Sequence, residues 1–185
     1  MFSRGDPDLD RALRFPFTPA ELPRLDEIDR SEVIEALHRV EGGTLVKDDQ
    51  HIDVPAWLPG DGDHSVGKMR AFAAEHLAAG AEGIIALADG KLRGIALVGY
   101  RIAPDTAQLA LLHVSREARR MGVARELCRR CYDLARARGA RQIYVSATPR
   151  DSAVGFYQSE GFRPTTPDPA LLALEPEDIH MLRPL

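Results

Sequence analysis

The sequence contains little cysteine, few aromatic residues and no long hydrophobic run. Its longest apolar stretches, GIIALA and GIALVGY, are separated by charged residues at positions 89, 91 and 93. Neither approaches the roughly 20 residues that span a bilayer, and the N-terminal MFSRGDPDLDRALRF has no apolar signal-peptide segment. These absences predict a cytoplasmic protein with no membrane partner.

The two cysteines, Cys128 and Cys131, form a C-x-x-C pair. A zinc site needs further ligands, and the sequence offers no second Cys pair and no nearby His pair. A redox pair lies at a helix N-terminus, where the dipole lowers the thiol pKa, whereas this pair falls inside a helical pattern. We therefore expect both cysteines to act as small buried hydrophobic residues, and we expect no metal.

Charge is distributed unevenly along the chain. The net charge is −4, which disfavours nucleic acid as a partner. Residues 1–66 hold 15 acidic and 7 basic residues, whereas residues 116–141 hold 9 arginines and 3 acidic residues. This asymmetry suggests two ligands, or one ligand with two unlike ends. Ordinary solvated helix faces are the alternative for most of the individual arginines.

The first third of the chain has the least regular pattern. Residues 1–21 are rich in proline and charge and predict an extended arm, which leaves residues 22–185 as a single domain. The segment 24–29 is expected to be a first strand. SEVIEALHRV, EGG and TLVKDD predict a hairpin, although the apolar positions of the first segment also fit a helix. The proline-rich and glycine-rich segment 51–63 is expected to be a loop.

The rest of the chain alternates between helical and extended patterns. The expected elements are a helix over 64–80 capped by Ser65 or Asp63 and ended by Gly80, strands over 82–89 and 90–101 joined by a tight turn, a strand over 107–115, a helix over 123–138, a strand over 141–148, a short helix over 151–162 capped by Asp151, and a last strand over 177–185. This order predicts an α/β fold in which helices flank a mixed sheet.

One segment resembles a nucleotide-binding loop. GDHSVGKM, residues 62–69, nearly matches G-x-x-x-x-G-K-[ST], but Met69 occupies the position that should bind Mg²⁺. A loop rather than a buried strand precedes it, and Asp61 and Asp63 would repel phosphates. Nucleotide binding through Lys68 is therefore disfavoured.

The hexapeptide RRMGVA joins a buried strand to an amphipathic helix. The first N–H groups of a helix lack intrahelical partners and, together with the helix dipole, favour an anion. Gly122 and Ala124 allow close approach to the backbone, and Arg119 and Arg120 add positive charge. The segment therefore suits a pyrophosphate, although ordinary strand-to-helix turns also use glycine.

Two motifs resemble those of the GNAT superfamily of N-acetyltransferases. Arg119, Gly122 and Ala124 match its acetyl-CoA-binding pattern [RQ]-x-x-G-x-[GA], and SAVGFYQSEGFRP resembles its later helical motif. The resemblance extends from about residue 83 to residue 185. It implies a mixed, mostly antiparallel sheet of about six to seven strands, flanked by helices and splayed between the fourth and fifth strands.

The resemblance also implies a reaction and a set of site residues. An acetyl group would pass from acetyl-CoA to a primary amine by direct attack in a ternary complex, with a small molecule or a peptide as acceptor. Tyr157 matches the family's proton donor to the departing thiolate, although an aromatic residue that merely packs on the short helix is the alternative. The implied cofactor-binding residues are Leu112, His113 and Val114 on the strand, Arg119, Arg120, Met121, Gly122, Val123 and Ala124 in the turn, and Ser152 and Phe156 in the later motif.

The general base is harder to assign. Some family members carry a glutamate early on the fourth strand, where this sequence has Gln108. The side chain of His113 should point to the opposite face, because strand side chains alternate. Glu32 is our candidate base, because it follows the expected first strand in the acidic part of the chain. Glu41, Asp53 and His51 are further candidates, Trp57 is a candidate wall of the acceptor site, and each of them has an ordinary surface or core role as its alternative.

Two expectations concern the protein as a whole. The missing strand glutamate leaves open a module that binds acyl-CoA without turnover. A homodimer is a possible assembly.

Overall fold

The computed structural model describes residues 13–14 and 16–185. The strands in this part of the chain are β1 (Leu13–Arg14), β2 (Glu32–Glu41), β3 (Thr44–Val54), β4 (Glu82–Ala88), β5 (Lys91–Ala103), β6 (Thr106–Val114), β7 (Gln142–Ala147), β8 (Arg163–Pro164) and β9 (Ile179–Pro184). The α-helices are α1 (Val66–Ala78), α2 (Val123–Ala137), α3 (Asp151–Ser159) and α4 (Pro169–Leu174), and two 3-10 helices span Pro19–Glu27 and Arg116–Ala118.

A seven-stranded sheet forms the centre of the fold, in the order β1-β4-β5-β6-β7-β9-β8. Neighbouring strands are antiparallel except β6 and β7, which are parallel. These two strands pair only from Thr106 opposite Gln142 to Gln108 opposite Tyr144, and then separate. The mostly antiparallel sheet and the splay between these strands confirm the predicted fold class.

Both faces of the sheet are covered. The face under α2 packs against the apolar stripe of that helix, which contains Leu127, Cys128 and Cys131. Both cysteines are fully buried, as predicted, and burial raises the pKa of the Cys128 thiol to about 12. The other face packs against the first 3-10 helix and α1, around Phe17 and Leu25. No helix among the described residues is both long and apolar enough to cross a membrane.

β2 and β3 form a separate two-stranded ribbon. The segment SEVIEALHRV, for which the sequence allowed a hairpin strand or a helix, is therefore a strand of a hairpin. β3 continues to Val54, so the loop predicted from residue 51 begins only at residue 55. The ribbon is attached to the start of α3. The His38 N–H donates to the Pro149 carbonyl oxygen at 2.7 Å, and His38 Nε2 lies 2.9 Å from the Asp151 carboxylate.

Two predictions of local structure are wrong. The segment 24–29 is not a strand, because most of it belongs to the 3-10 helix Pro19–Glu27. Thr18 and Glu21 form a capping box at the start of that helix, and Pro19 supplies a backbone angle suited to its first position. Asp151 does not cap α3. Arg150 holds the N-cap position, and the Asp151 carboxylate contacts His38 and Lys47 on the ribbon instead.

The predicted arm over residues 1–21 lies mostly outside the described residues. Its described part is packed, since Leu13–Arg14 pairs with β4 and Phe17 is buried. The boundary at residue 21 falls inside the first 3-10 helix. The division into an arm and one domain over 22–185 stays a prediction.

Candidate active site

The turn between β6 and α2 leaves a helix N-terminus open. Arg120 and Gly122 both have a positive φ, at 64° and 87°, and α2 begins at Val123 without a side-chain cap. A Cβ atom at Gly122 would meet nothing within 4 Å, so the space in front of the turn is clear. The first N–H groups of the helix are therefore available to an anion, as a pyrophosphate requires.

The two arginines of the turn differ in their contacts. The Arg119 guanidinium donates to the carbonyl oxygens of Val114, Ser31 and Arg30 at 3.1–3.2 Å. It therefore ties the end of β6 to the loop before β2. The Arg120 side chain is exposed, and no hydrogen bond or ion pair is found for it within the described chain. Arg120 is thus the more available of the two charges.

β6 has an open edge beyond Gln108. Its pairing with β5 continues to Val114, which lies opposite Gly94. On the β7 side, no strand pairing is found for it after Gln108 among the described residues. A bulge shifts the register between Leu109 and Leu111, immediately after the strands part. Bulges often lie beside active sites, where they redirect the strand. The gap therefore offers unpaired backbone groups to a ligand that mimics an added strand.

Tyr157 lies on α3 and is buried in an aromatic cluster. Its ring centroid is 5.3 Å from those of both Phe156 and Phe162. Burial is the main cause that raises the pKa of Tyr157 well above its usual value. The phenol therefore keeps its proton at neutral pH, which a proton donor requires.

Glu32 does not have a free carboxylate. Arg150 donates to its Oε1, and the Ser152 hydroxyl donates to its Oε2 at 3.0 Å. The charge of Arg119 lies 3.8 Å from the same carboxylate. The structure thus joins Glu32 to Ser152, but through an ion-pair network that occupies both carboxylate oxygens.

His113 lies on the other face of β6 from Leu112 and Val114. The bulge between Leu109 and Leu111 resets the alternation, so His113 shares the face of Gln108, and the expectation that it points to the opposite face is wrong. Its ring meets that of Trp57 edge-on at 6.5 Å, and the Arg30 guanidinium stacks over the same Trp57 ring at 4.7 Å. Burial, followed by the charge of Arg30, lowers the pKa of His113 well below its usual value. His113 is therefore neutral, and its Nε2 is buried without a hydrogen-bond partner in the described structure.

The remaining candidate bases lie on the ribbon. Glu41 is at its turn, at the opposite end of β2 from Glu32, and accepts a hydrogen bond from Arg39. His51 pairs with Glu35 at 3.6 Å, and both are exposed. Asp53 is also exposed. The structure does not gather these three side chains with Glu32.

Three partly buried polar residues were not singled out from the sequence. Arg30 and Arg150 are described above, and Asp178 lies half-buried just before β9. Burial raises the pKa of Asp178 to about 6. Three of the first four residues of the segment EPEDIHM are acidic, and nothing in the local sequence distinguishes the one that becomes partly buried.

Comparison with known proteins agrees with this geometry. Residues 47–162 match the family model described as the acetyltransferase (GNAT) family. No curated protein sequence matches the chain.

Similar solved structures include a nourseothricin acetyltransferase, with 23% identity, a TM-score of 0.70, and coverage of 94% of this chain and 98% of that one. A putative streptothricin acetyltransferase from Bacillus anthracis str. Ames, in complex with acetyl coenzyme A, has 16% identity, a TM-score of 0.67 and coverage of 92% and 94%. N-acetylglutamate synthase from Neisseria gonorrhoeae, complexed with coenzyme A and N-acetyl-glutamate, has 17% identity and a TM-score of 0.60. The match covers 94% of this chain and 34% of that chain.

The family match covers more than half of the chain and agrees with the splayed sheet and the open turn before α2. It confirms the predicted class of enzyme, an acetyl-CoA-dependent acyltransferase. The chain belongs to the acetyltransferase (GNAT) family.

Proposed function

We propose that the protein transfers an acetyl group from acetyl-CoA to a primary amine by direct attack in a ternary complex. The observation that carries this proposal is the uncapped N-terminus of α2 beside the gap between β6 and β7. One feature suits a pyrophosphate and the other suits an extended pantetheine arm. Their adjacency suits a ligand that contains both.

The residues around the gap fit acetyl-CoA as a substrate. The backbone N–H groups of residues 120–124 would bind the pyrophosphate, and Arg120 would add charge. The open edge over Leu112–Val114 would pair with the amides of the pantetheine arm. Ser152 and Phe156 lie on α3 and would border the same site. Arg119 would act indirectly, because its contacts fix the end of β6.

The chemistry requires positioning, charge stabilisation and proton transfer. Holding the amine against the thioester carbonyl removes much of the entropic barrier. A backbone N–H near Val114 would stabilise the negative charge that develops on the carbonyl oxygen. Tyr157 would give its proton to the departing sulfur. Its buried phenol is protonated at neutral pH, which supports that role.

Glu32 enters this proposal through its neighbours. Because both of its oxygens are bonded, it is less available as a base than the sequence predicted. It would hold Arg150 and Ser152 at the start of α3, and so position the helix that carries Tyr157. Its role as a base stays a prediction.

The acceptor is proposed to be a small molecule or peptide with a cationic amine. β2 and β3 contain Glu35, Glu41, Asp48, Asp49 and Asp53 as exposed acidic residues, which would attract such an amine. Two of the similar structures are named for acetyl transfer to nourseothricin and streptothricin. These names support an antibiotic of that kind as one member of a test panel.

The test is CoA thiol release from acetyl-CoA with a panel of amines. The panel would include streptothricin-type antibiotics, an aminoglycoside, polyamines, lysine and a peptide with a free N-terminus. We expect release that depends on one class of amine and forms the N-acetyl product. Calorimetric binding of acetyl-CoA without release for any amine would contradict the proposal and favour a binding module without turnover.

A further inference from the structure

We propose that the amine acceptor also carries a carboxylate, and that Arg30 binds this carboxylate beside the open edge of β6. The proposal rests on the proposed function and names the chemical class of its acceptor. The site consists of Arg30, Trp57 and His113, and it is called the Arg30 site below.

The Arg30 side chain is held in place but is not paired. Its guanidinium carbon lies 4.7 Å from the centroid of the Trp57 ring, and its Nη1 is buried. No hydrogen bond or ion pair is found for any nitrogen of this guanidinium within the described chain. A partly buried charge without a partner is unfavourable, so the guanidinium is suited to a ligand that completes its hydrogen bonds.

The backbone before β2 is attached to the end of β6. The Arg116 N–H donates to the Asp29 carbonyl oxygen at 2.8 Å, and the Asp29 N–H donates to the Ser115 hydroxyl oxygen at 2.9 Å. The Arg119 guanidinium donates to the carbonyl oxygen of Arg30 itself at 3.1 Å. These bonds position Arg30 at the end of β6 without using its side chain.

Trp57 and His113 connect Arg30 to the open edge of β6. The Trp57 Nε1–H donates to the Ile28 carbonyl oxygen at 2.9 Å, and the Trp57 ring centroid lies 6.5 Å from that of His113. The Arg30 guanidinium carbon is therefore no farther from the His113 ring than the sum of the two ring distances, about 11 Å. His113 lies opposite Ile95 on β5, in the part of β6 for which the described residues provide no pairing on the β7 side. A ligand of amino-acid size can thus contact Arg30 and reach this edge.

The charges around Arg30 favour an anion. Burial and then the charge of Arg150 lower the pKa of Arg30 to about 10, so the guanidinium stays cationic at neutral pH. The charge of Arg119 lowers this pKa further, and the charge of Glu32 opposes both arginines without cancelling them. Glu32 is itself bonded to Arg150. The surroundings are therefore unfavourable to a further cation and favourable to a carboxylate.

The geometry of an arginine matches a carboxylate. The guanidinium edge offers two parallel N–H donors, which fit the two carboxylate oxygens. Neutral His113 supplies one more N–H donor, since no partner is found for either of its ring nitrogens among the described residues. A phosphonate with two charges would need more donors, and Arg119 and Arg150 are already bonded to backbone carbonyls and to Glu32. The acceptor would then present its amine to the acidic ribbon side and its carboxylate to the Arg30 site.

The test compares each acceptor with a matched compound that lacks the carboxylate. Thiol release from acetyl-CoA would be measured with α-amino acids, with longer ω-amino acids and with the amide of each. The amide of an α-amino acid has the less basic amine, so without carboxylate recognition it should be the better substrate at neutral pH. We expect instead that kcat/KM is about 10- to 100-fold higher for the acid, as hydrogen bonds to charged groups imply. An aminoalkylphosphonate of matched length should be a poorer substrate than the acid.

Substitutions of Arg30 assign this preference to its side chain. Arg30→Gln should raise the KM of the acid about 10- to 100-fold and leave the KM values of the amide and of acetyl-CoA unchanged. Arg30→Lys keeps the charge but cannot form two parallel bonds, and it should retain part of the preference. Arg116→Gln removes the same charge from an exposed arginine beside the same segment, and it should match the unaltered protein.

The contrary outcomes are distinct. Turnover confined to amines without a carboxylate, or faster turnover of the phosphonate than of the acid, would overturn the acceptor class while the proposed function stood. Equal losses for acid and amide in Arg30→Gln, or a raised acetyl-CoA KM, would make Arg30 a structural or cofactor-binding residue.

Release of no thiol with any amine would instead contradict the proposed function. Calorimetry with the same amino acids in the presence of CoA would then test the Arg30 site by itself. Binding that Arg30→Gln abolishes would support the site, and no binding by the unaltered protein would overturn it.

Discussion

The central sheet and the β2–β3 ribbon differ in what stabilises them. Ile84, Ile95 and Leu97 in the sheet are 0% exposed, because helices cover both faces. In the ribbon, Val33, Val40 and Ile52 are 41%, 44% and 39% exposed. The ribbon buries only Ile34, at 7% exposed, and Ala36, at 0%, and polar contacts join it to the start of α3. In the proposed function, the well-buried sheet would hold acetyl-CoA and the ribbon would face the acceptor, so substitutions on the ribbon should cost less stability.

The largest effect is expected from a substitution in the turn before α2, on the sheet side of the comparison. Gly122→Glu would place a carboxylate beside the pyrophosphate site and should abolish acetyl-CoA binding in calorimetry. The fold should survive, because a Cβ atom there has no neighbour within 4 Å. Gly122→Ala is the matched control, because it introduces the same strained positive φ without the charge. If Gly122→Glu bound acetyl-CoA normally, the site would have to lie elsewhere.

The next effect concerns the chemical step. Tyr157→Phe should lower kcat about 100-fold, the low end for lost general acid catalysis, because a thiolate is already a tolerable leaving group. The KM values should change little, because the hydroxyl acts only as charge develops on sulfur. The melting temperature should barely move, since the ring and its packing remain. A single-turnover rate equal to that of the unaltered protein would leave Tyr157 as a packing residue.

A pair of truncations tests the difference in stability directly. Leu97→Ala should lower the free energy of unfolding by about 2–5 kcal/mol, because it opens a cavity in a fully buried layer. Val40→Ala on the ribbon should change it by less than about 0.5 kcal/mol. Urea denaturation of both variants provides the measurement. Similar losses for the two would mean that the ribbon is as well covered in solution as the sheet.

The smallest effect is expected where the ribbon meets α3. Hydrogen bonds from His38 and then Lys47 lower the pKa of Asp151 below its usual value of 3.8. Because the folded-state pKa is depressed, the stabilisation is present above pH 3.8 and is lost as the pH falls through the folded-state value. At neutral pH, Asp151→Asn should cost a few tenths to about 1 kcal/mol, as exposed pairs do.

Hydrogen exchange locates this change. The β2 amides should exchange faster in Asp151→Asn at neutral pH, and acetyl-CoA affinity should not change. The difference from the unaltered protein should vanish in strong acid. A variant with slowed or unchanged exchange throughout β2 would show that other contacts hold the ribbon.

The region that the sequence predicted best is also the better buried one. The strands on either side of Asp89 and Gly90 are apolar runs joined by a turn with positive φ at both residues, which is a strong local signal. The stripe of α2 is equally clear. The first 3-10 helix gave no such signal, because Pro23 and its i,i+3 geometry produce neither of the usual hydrophobic periods.

The residues of the candidate site also differ in how far the sequence could predict them. The turn at Gly122 was predictable because its chemistry belongs to the backbone, which a glycine between a strand and a helix already indicates. The carboxylates were not predictable, because their availability depends on distant partners. Glu32 is occupied by Arg150, which is 118 residues away in the chain, and Asp178 is buried by tertiary packing rather than by any local pattern.

The short junction between β6 and β7 gives the sheet a mechanical property. Three residue pairs, ending at Gln108 and Tyr144, are the only strand pairing between its two halves in the described structure. From Gln108 to Val114 the β6 wall extends about 20 Å and stays paired with β5, so it would move relative to β7 only together with β5. A small rotation at the junction would move the turn before α2, at the open end of the gap, by a larger distance. Substitutions in the three residue pairs of the junction would therefore change the width of the gap.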